Sequence, residues 1–134
     1  MNQVIVDTDI LSYYMKRHTN VVKNFDKHID KYDFVYISRI SVIEILGGLK
    51  SKNAEKQILK FKELISKHKI IDTSEISAEF SSNIFAQLHK LGKHSGNYDI
   101  LIAGTALANK LRLVTNNEKD YENIEGMELV NWIY

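Results

Sequence analysis

Cysteine and proline are both missing from this chain, glycine occurs only six times, and the 18 Lys and Arg nearly cancel the 17 Asp and Glu, leaving a formal charge of +1. Without cysteine there is no disulfide framework, no thiolate nucleophile and no cysteine zinc site, and a reducing cytoplasm is the expected address. Without proline, the helix ends must be set by glycine, asparagine, serine and threonine. So small a net charge excludes a polyelectrolyte clamp for nucleic acid. Five histidines, at 18, 28, 68, 89 and 94, include no H-x-x-x-H pair, which argues against a zinc hydrolase. G-x-S-x-G and G-x-x-x-x-G-K are absent too, so serine-hydrolase and P-loop chemistry lack support. The polar start Met1-Asn2-Gln3 runs straight into a strand, and no apolar run is long enough for a signal or a span, so no membrane association is expected.

The 134 residues are enough for one domain, 1–134, with a core of its own. Val4-Ile5-Val6 reads as a strand, and Ile10, Leu11 and Tyr14 then recur at helical spacing. A second helix is expected from Asn20 to about Lys31, a strand from Phe34 to Ile37, and a helix opened at Ser41 by a Ser41-x-x-Glu44 capping box and weakened or ended by Gly47-Gly48. Apolar Ile58, Phe61, Leu64 and Ile65 mark the next helix, and Lys69 to Ile71 a third strand. The stripe Ile76, Phe80, Ile84, Leu88 and Leu91 marks another helix, stopped at Gly92. After a polar loop closed by Asn97 as N-cap comes an almost wholly apolar helix to about Asn109, followed by strands at Leu113–Thr115 and Glu128–Val130.

Strands alternating with helices predict an α/β fold, a mostly parallel five-stranded sheet covered on both faces. If three strands wind one way and two the other, the order is 3-2-1-4-5, and ligands are expected in the crevice at the carboxyl ends of strands one and four. Asp7 and Thr115 stand at that crevice, and Glu44 and Asp99 enter it from helix N-terminal turns. Each acid has a bland reading: Asp7 as an N-cap, Glu44 in a capping box, Asp99 in the favourable first turn of a helix. Their joint placement at one edge is what those readings leave unexplained. Carboxylates about 4 Å apart repel by roughly 4 kcal/mol at an effective dielectric near 20, so a divalent cation is the natural resident. Mg²⁺ prefers oxygen ligands and keeps several waters, which points to Asp7 and Asp99 as direct ligands with Glu44 as a third acid, and to Asp9 as a supporting or capping group. His94, in the loop with Lys90 and Lys93, leads into Asp99 and is placed to touch a phosphate. The Lys50–Lys69 stretch, with Lys52, Lys56, Lys60, Lys62 and Lys67 against Glu55 and Glu63, reads first as a solvated helix face.

The segments Asp7-Thr8-Asp9-Ile10-Leu11, Ile37-Ser38 with Val42-Ile43-Glu44-Ile45, Asp99-Ile100-Leu101-Ile102-Ala103, and Leu113-Val114-Thr115-Asn116-Asn117 with Asp120-Tyr121 resemble, in order and spacing, the PIN-domain ribonucleases. The compact size and the closing Leu129-Val130-Asn131-Trp132 are similar to the VapC-type toxins of toxin–antitoxin pairs. The resemblance implies a PIN-like three-layer fold and Mg²⁺-dependent (or Mn²⁺-dependent) endoribonuclease activity leaving a 5′-phosphate and a 3′-hydroxyl. It also implies a homodimer and a cognate VapB-type antitoxin. It carries the ligand role onto Asp7, Asp99 and Glu44. Where many PIN domains have a second aspartate two residues after the threonine this chain has Asn117, and the site is completed either by Asn117, ligating through its carbonyl or orienting a water, or by Asp120, which would supply the missing charge, with Thr115 bonding a ligand carboxylate or water. Lys93 and His94 are the expected substrate contacts.

Two rivals come from other classes. A receiver-type signalling domain would need a lysine after the fifth strand; Asp72 follows the third strand, but the chain closes on Trp132-Ile133-Tyr134. A non-catalytic PIN-like module binding RNA or protein is favoured by the neutral Asn117.

Overall fold

A computed structural model describes residues 3–93 and 95–134. Five strands, β1 (Val4–Val6), β2 (Tyr36–Ser38), β3 (Lys69–Ile71), β4 (Arg112–Val114) and β5 (Leu129–Val130), form one sheet in the order β3-β2-β1-β4-β5, and every pairing is parallel. The register places Val4, Ile5 and Val6 beside Arg112, Leu113 and Val114. The expected strand order is thus the one observed, with the crevice between β1 and β4.

Side chains alternate across a strand, so β1 feeds two separate cores. Val4 and Val6 pack with Ile10, Leu11, Phe25, Phe61 and Trp132, under α1 (Thr8–Met15), α2 (Thr19–Tyr32), α3 (Arg39–Ser51) and α4 (Glu55–Ser66). Ile5 faces the other way, with Ile84, Leu88, Ile102, Ala103, Leu113 and Tyr121, under α5 (Glu75–Lys90), α6 (Asn97–Ala108) and the short α7 (Glu118–Tyr121). A strand buried on both faces reads as a continuous apolar run, as Val4-Ile5-Val6 does.

Four local expectations give way to tertiary packing. Ser38, not Ser41, caps α3, accepting from Ile40 N at 3.1 Å. Ser41 lies buried inside the helix, so Ser41-x-x-Glu44 is not a capping box. Gly47 and Gly48 do not end α3, which continues to Ser51, because both are exposed and other contacts of the helix hold it. Asn97 is the first residue of α6 behind Gly96, a glycine N-cap with no side chain of its own to bond the helix amides. The α5 stripe is only partly buried: Ile84 and Leu88 face the core, while Ile76, Phe80 and Leu91 are exposed. The face that meets α6 is instead marked by Ser77 and Ser81, because the helices approach closely at Gly104, where a Cβ would strike Ser81 Oγ and come within 2.7 Å of Ser77 O.

With no proline and few glycines, several helices stop on left-handed residues: Arg17 (φ 63°), Asp33 (φ 73°), Asn53 (φ 53°) and Lys110 (φ 55°) follow or cap α1, α2, α3 and α6.

Candidate active site

β1 ends at Val6, and the next residue, Asp7, must leave the sheet and start α1 within one peptide. Its extended backbone (φ −69°, ψ 160°) makes it the N-cap, with Oδ1 accepting from Thr8 N at 2.8 Å. The other oxygen, Oδ2, accepts from Thr115 Oγ1 at 2.8 Å across the β1–β4 crevice. It also lies 3.1 Å from the Tyr121 hydroxyl. Asp7 is only 3% exposed. Burial, first, and then the neighbouring charge of Asp9 push its carboxyl up to about 7, against the hydrogen bonds that favour the ionised form.

Asp99 comes from the first turn of α6, and its Oδ1 is 3.1 Å from the same Tyr121 hydroxyl. The two carboxylate oxygens are therefore no more than twice that distance apart. A phenol carries one proton, so it cannot donate to both carboxylates at once. Desolvation raises the Asp99 carboxyl, as does the charge of Asp120, while the bonds to Tyr121 and to the Gly96 backbone lower it. Burial and the two carboxylates hold the Tyr121 phenol far above its ordinary range, so it is neutral and a donor.

Glu44, on α3, is tied to the same corner through Thr8, whose Oγ1 donates to Glu44 Oε1 at 2.8 Å and lies 2.9 Å from Ser41 Oγ. A cleft of about 400 Å³, lined by Glu44, Gly96, Asn97, Tyr98 and Asp99, opens onto this corner. Asp9 turns away from it. Its Oδ1 accepts from Ile10 N and its Oδ2 from Asn116 N at 3.0 Å, so it pins the turn after β4, and burial raises its carboxyl. Thr115 also accepts from Asn117 N at 3.0 Å, while the Asn117 side chain is exposed. Asp120 sits in α7 near Asp99, and its backbone carbonyl accepts from Ser95 Oγ at 2.5 Å. Lys93 is exposed beside a neighbouring cleft with Phe85, Ser95 and Asn97. His94 lies outside the described residues.

Asp7 and Asp99 thus meet at one hydroxyl, Glu44 stands one threonine away, and Asp120 lies behind Asp99. Among the described residues, no three carboxylate or histidine side chains are placed so that they could hold an ion together. Nor does any ion pair among the described residues relieve these acids: Arg39–Asp72 and Lys67–Glu63 both lie elsewhere. A buried carboxylate with an acidic neighbour and, among the described residues, no ion-paired cationic side chain fits a hard divalent cation held by two carboxylates and water, with the third acid drawn in. Tyr121 is the site residue that residue-type reasoning passed over: a phenol beside Asp120 reads as core. The available signal was a tyrosine, rather than a phenylalanine, in a buried position.

A family model described as PIN domain matches residues 4–126. The chain belongs to the PIN-domain family. Among relatives of this PIN domain, Ribonuclease VapC2 of Haemophilus influenzae is 32% identical over 135 residues, spanning 99% of this chain and 100% of the relative. The tRNA(fMet)-specific endonuclease VapC of Shigella flexneri is 27% identical, spanning 98% and 99%. The crystal structure of VapBC2 from Rickettsia felis bound to a DNA fragment from its promoter superposes with a TM-score of 0.87 at 32% identity, over 96% of this chain and 98% of that one. The PIN-like three-layer architecture is accordingly that of VapC proteins.

Proposed function

We propose that this PIN domain is an endoribonuclease of the VapC type, the toxin of a VapBC-type toxin–antitoxin pair, and that its hydrolysis of RNA phosphodiesters depends on Mg²⁺ or Mn²⁺. The observation that carries the reading is the meeting of Asp7 and Asp99, residues far apart in the sequence, at one hydroxyl in the β1–β4 crevice. Full-length similarity to named ribonucleases supports the substrate class.

Asp7 and Asp99 would hold the cation, with Glu44 as the third acid. When bound, a divalent cation supplies positive charge that lowers the pKa of water and stabilises charge on the phosphoryl oxygens. The chain's own residues orient and shield. Thr8 N and Thr115 Oγ1 fix both oxygens of Asp7, Thr8 Oγ1 aims Glu44, and Asp9 locks the β4–α7 turn that carries Thr115. Asp120 adds negative charge beside Asp99 in place of the neutral Asn117, and Lys93 is placed to meet a substrate phosphate. The expected partners are a VapB-type antitoxin, a second copy of the chain, and RNA, in a cytoplasmic setting; no helix among the described residues is long and apolar enough to cross a membrane.

Incubating the purified protein with total cellular RNA and Mg²⁺, beside Asp7→Asn, and mapping new 5′ ends tests the activity. Defined ends made by the wild type alone are expected, and equal cleavage by the variant would overturn the assignment. Co-expression with the small open reading frame beside its gene should abolish growth arrest. The second reading, a non-catalytic binding module, draws on the lack of a closed acidic trio among the described residues. It requires that no Mn²⁺ bind at this cluster in calorimetry.

A further inference from the structure

The Tyr121 ring is wholly buried among Ile5, Ile102, Ala103, Leu113 and Ile124, on a short helix held from both sides. Asp120 N donates to Asn117 O at 3.0 Å, Ile124 N to Tyr121 O at 3.1 Å, and Ser95 Oγ to Asp120 O. A side chain with two torsions, packed this way, holds its hydroxyl at one point in space. Filling the core does not require that oxygen, since Phe25 and Phe61 are buried as completely without one. A buried phenol has to find a partner, and the partners here are Asp7 Oδ2 and Asp99 Oδ1, each at 3.1 Å.

These two contacts are unequal in consequence. Asp7 keeps Thr8 N and Thr115 Oγ1 if the hydroxyl is removed. Among the described residues, Asp99 then keeps the Gly96 backbone alone, at the start of a helix whose N-cap is a glycine. We infer that Tyr121 is a positioning residue: its hydroxyl, fixed by the α6–α7 core, aims the Asp99 carboxylate at Asp7 so that the two stand as a ready pair for a divalent cation. The inference rests on the metal-dependent reading above and adds to it the residue that sets the spacing of the pair. Hydrogen bonds that orient a ligand are commonly worth ten- to a hundredfold in metal affinity.

Tyr121→Phe tests this with Mn²⁺ as the probe. Calorimetry on the purified protein should show Mn²⁺ binding roughly tenfold weaker than in the wild type. Cleavage should then recover towards the wild-type rate at saturating Mn²⁺, because Tyr121 acts only by placing the carboxylates of the pair. A merely structural role would lower the rate without that recovery. A second measurement does not depend on the variant's folding. Titrating Mn²⁺ into the wild type should perturb tyrosine absorption in the near ultraviolet, a change kept when Tyr98, which lines the cleft beside Asp99, is replaced by phenylalanine. Unchanged or tighter Mn²⁺ binding by a folded Tyr121→Phe overturns the inference, as does a wild type that binds Mn²⁺ with no tyrosine perturbation, and either result leaves the nuclease reading standing. A wild type that binds no Mn²⁺ at all refutes both.

Discussion

At the amino end of β1, Gln3 is 5% exposed and its Oε1 lies 3.0 Å from His28 Nε2, in a cleft that Lys27, Lys31 and Arg112 also line. At the carboxyl end, beyond three residues of strand, Asp7 is just as buried, but its neighbours are Asp9 and Asp99. Both ends solve the problem of a polar group at the edge of a core, since an unpaired one would be costly. The amino end solves it with a neutral amide and an imidazole that burial, then the charge of Arg112, keep below its usual pKa. The carboxyl end keeps a carboxylate where an amide, accepting from Thr8 N and turning its NH2 to the hydroxyl oxygens of Thr115 and Tyr121 as acceptors, would bury no charge. What folding alone requires is visible at one end; the excess charge at the other is what the proposed cation site would use.

Removing that excess should give the largest effect. Asp7→Asn or Asp99→Asn is expected to cut Mg²⁺-dependent cleavage by at least roughly a thousandfold while circular dichroism stays unchanged. Full residual rate in either would erase the distinction between the ends.

Next in size is the pH dependence of the metal-free protein. The folded Asp7 carboxyl titrates near 7 against 3.8 ordinarily, so between those values the folded state binds more protons than the unfolded one, and stability falls as pH rises. At about 1.4 kcal/mol per pH unit the loss is at most about 4 kcal/mol, and Asp9 and Asp99, also raised, act in the same direction. His28 and His68 are lowered, mainly by burial, so they act oppositely, adding stability as pH rises towards 6.5. Urea denaturation of wild type and Asp7→Asn at a series of pH values isolates the Asp7 share: the gap should open from pH 4 to 7 and narrow when Mg²⁺ is added. A constant gap contradicts the assignment.

A third change touches the frame beneath the acids. Gly104→Ala forces a methyl against Ser81 and the Ser77 carbonyl, and overpacking of this kind costs about 1–3 kcal/mol. A lower melting temperature and weaker Mn²⁺ binding should appear together, because α6 carries Asp99; an unshifted melting temperature would mean that the two helices part easily. The smallest effect belongs to the amino end, where His28→Ala should cost about 1 kcal/mol in urea denaturation and leave cleavage unchanged.

The sheet order was legible because apolar runs alternating with helical spacings leave few windings, and the acids at strand and helix ends stood out by type. Single-residue detail was less legible wherever a distant contact decides. Ser38 and Ser41 offer equally good cap chemistry by sequence, and Thr8 reaching Ser41 from another helix is what marks the latter as interior. The α5 stripe suggests one buried face, but the small groove at Gly104 draws the serine side inward and leaves Phe80 and Ile76 outside. Tyr121 was written in the sequence beside Asp120, yet the aim of its hydroxyl follows from how the turn after Thr115 is tied to Asp9, a bond spanning 107 positions.

Where other chains would place a glycine after a helix, this one places Arg17, Asp33, Asn53 or Lys110 in left-handed backbone. Asp and Asn tolerate that region, but Arg17 and Lys110 each carry a steric penalty on the order of 1 kcal/mol that glycine avoids, though glycine gives back part of the gain in chain entropy. Heat tolerance is therefore left in reserve at the exits of α1 and α6, the helix ends opposite Asp7 and Asp99, and a protein engineer could draw on Arg17→Gly or Lys110→Gly without disturbing any carboxylate of the crevice.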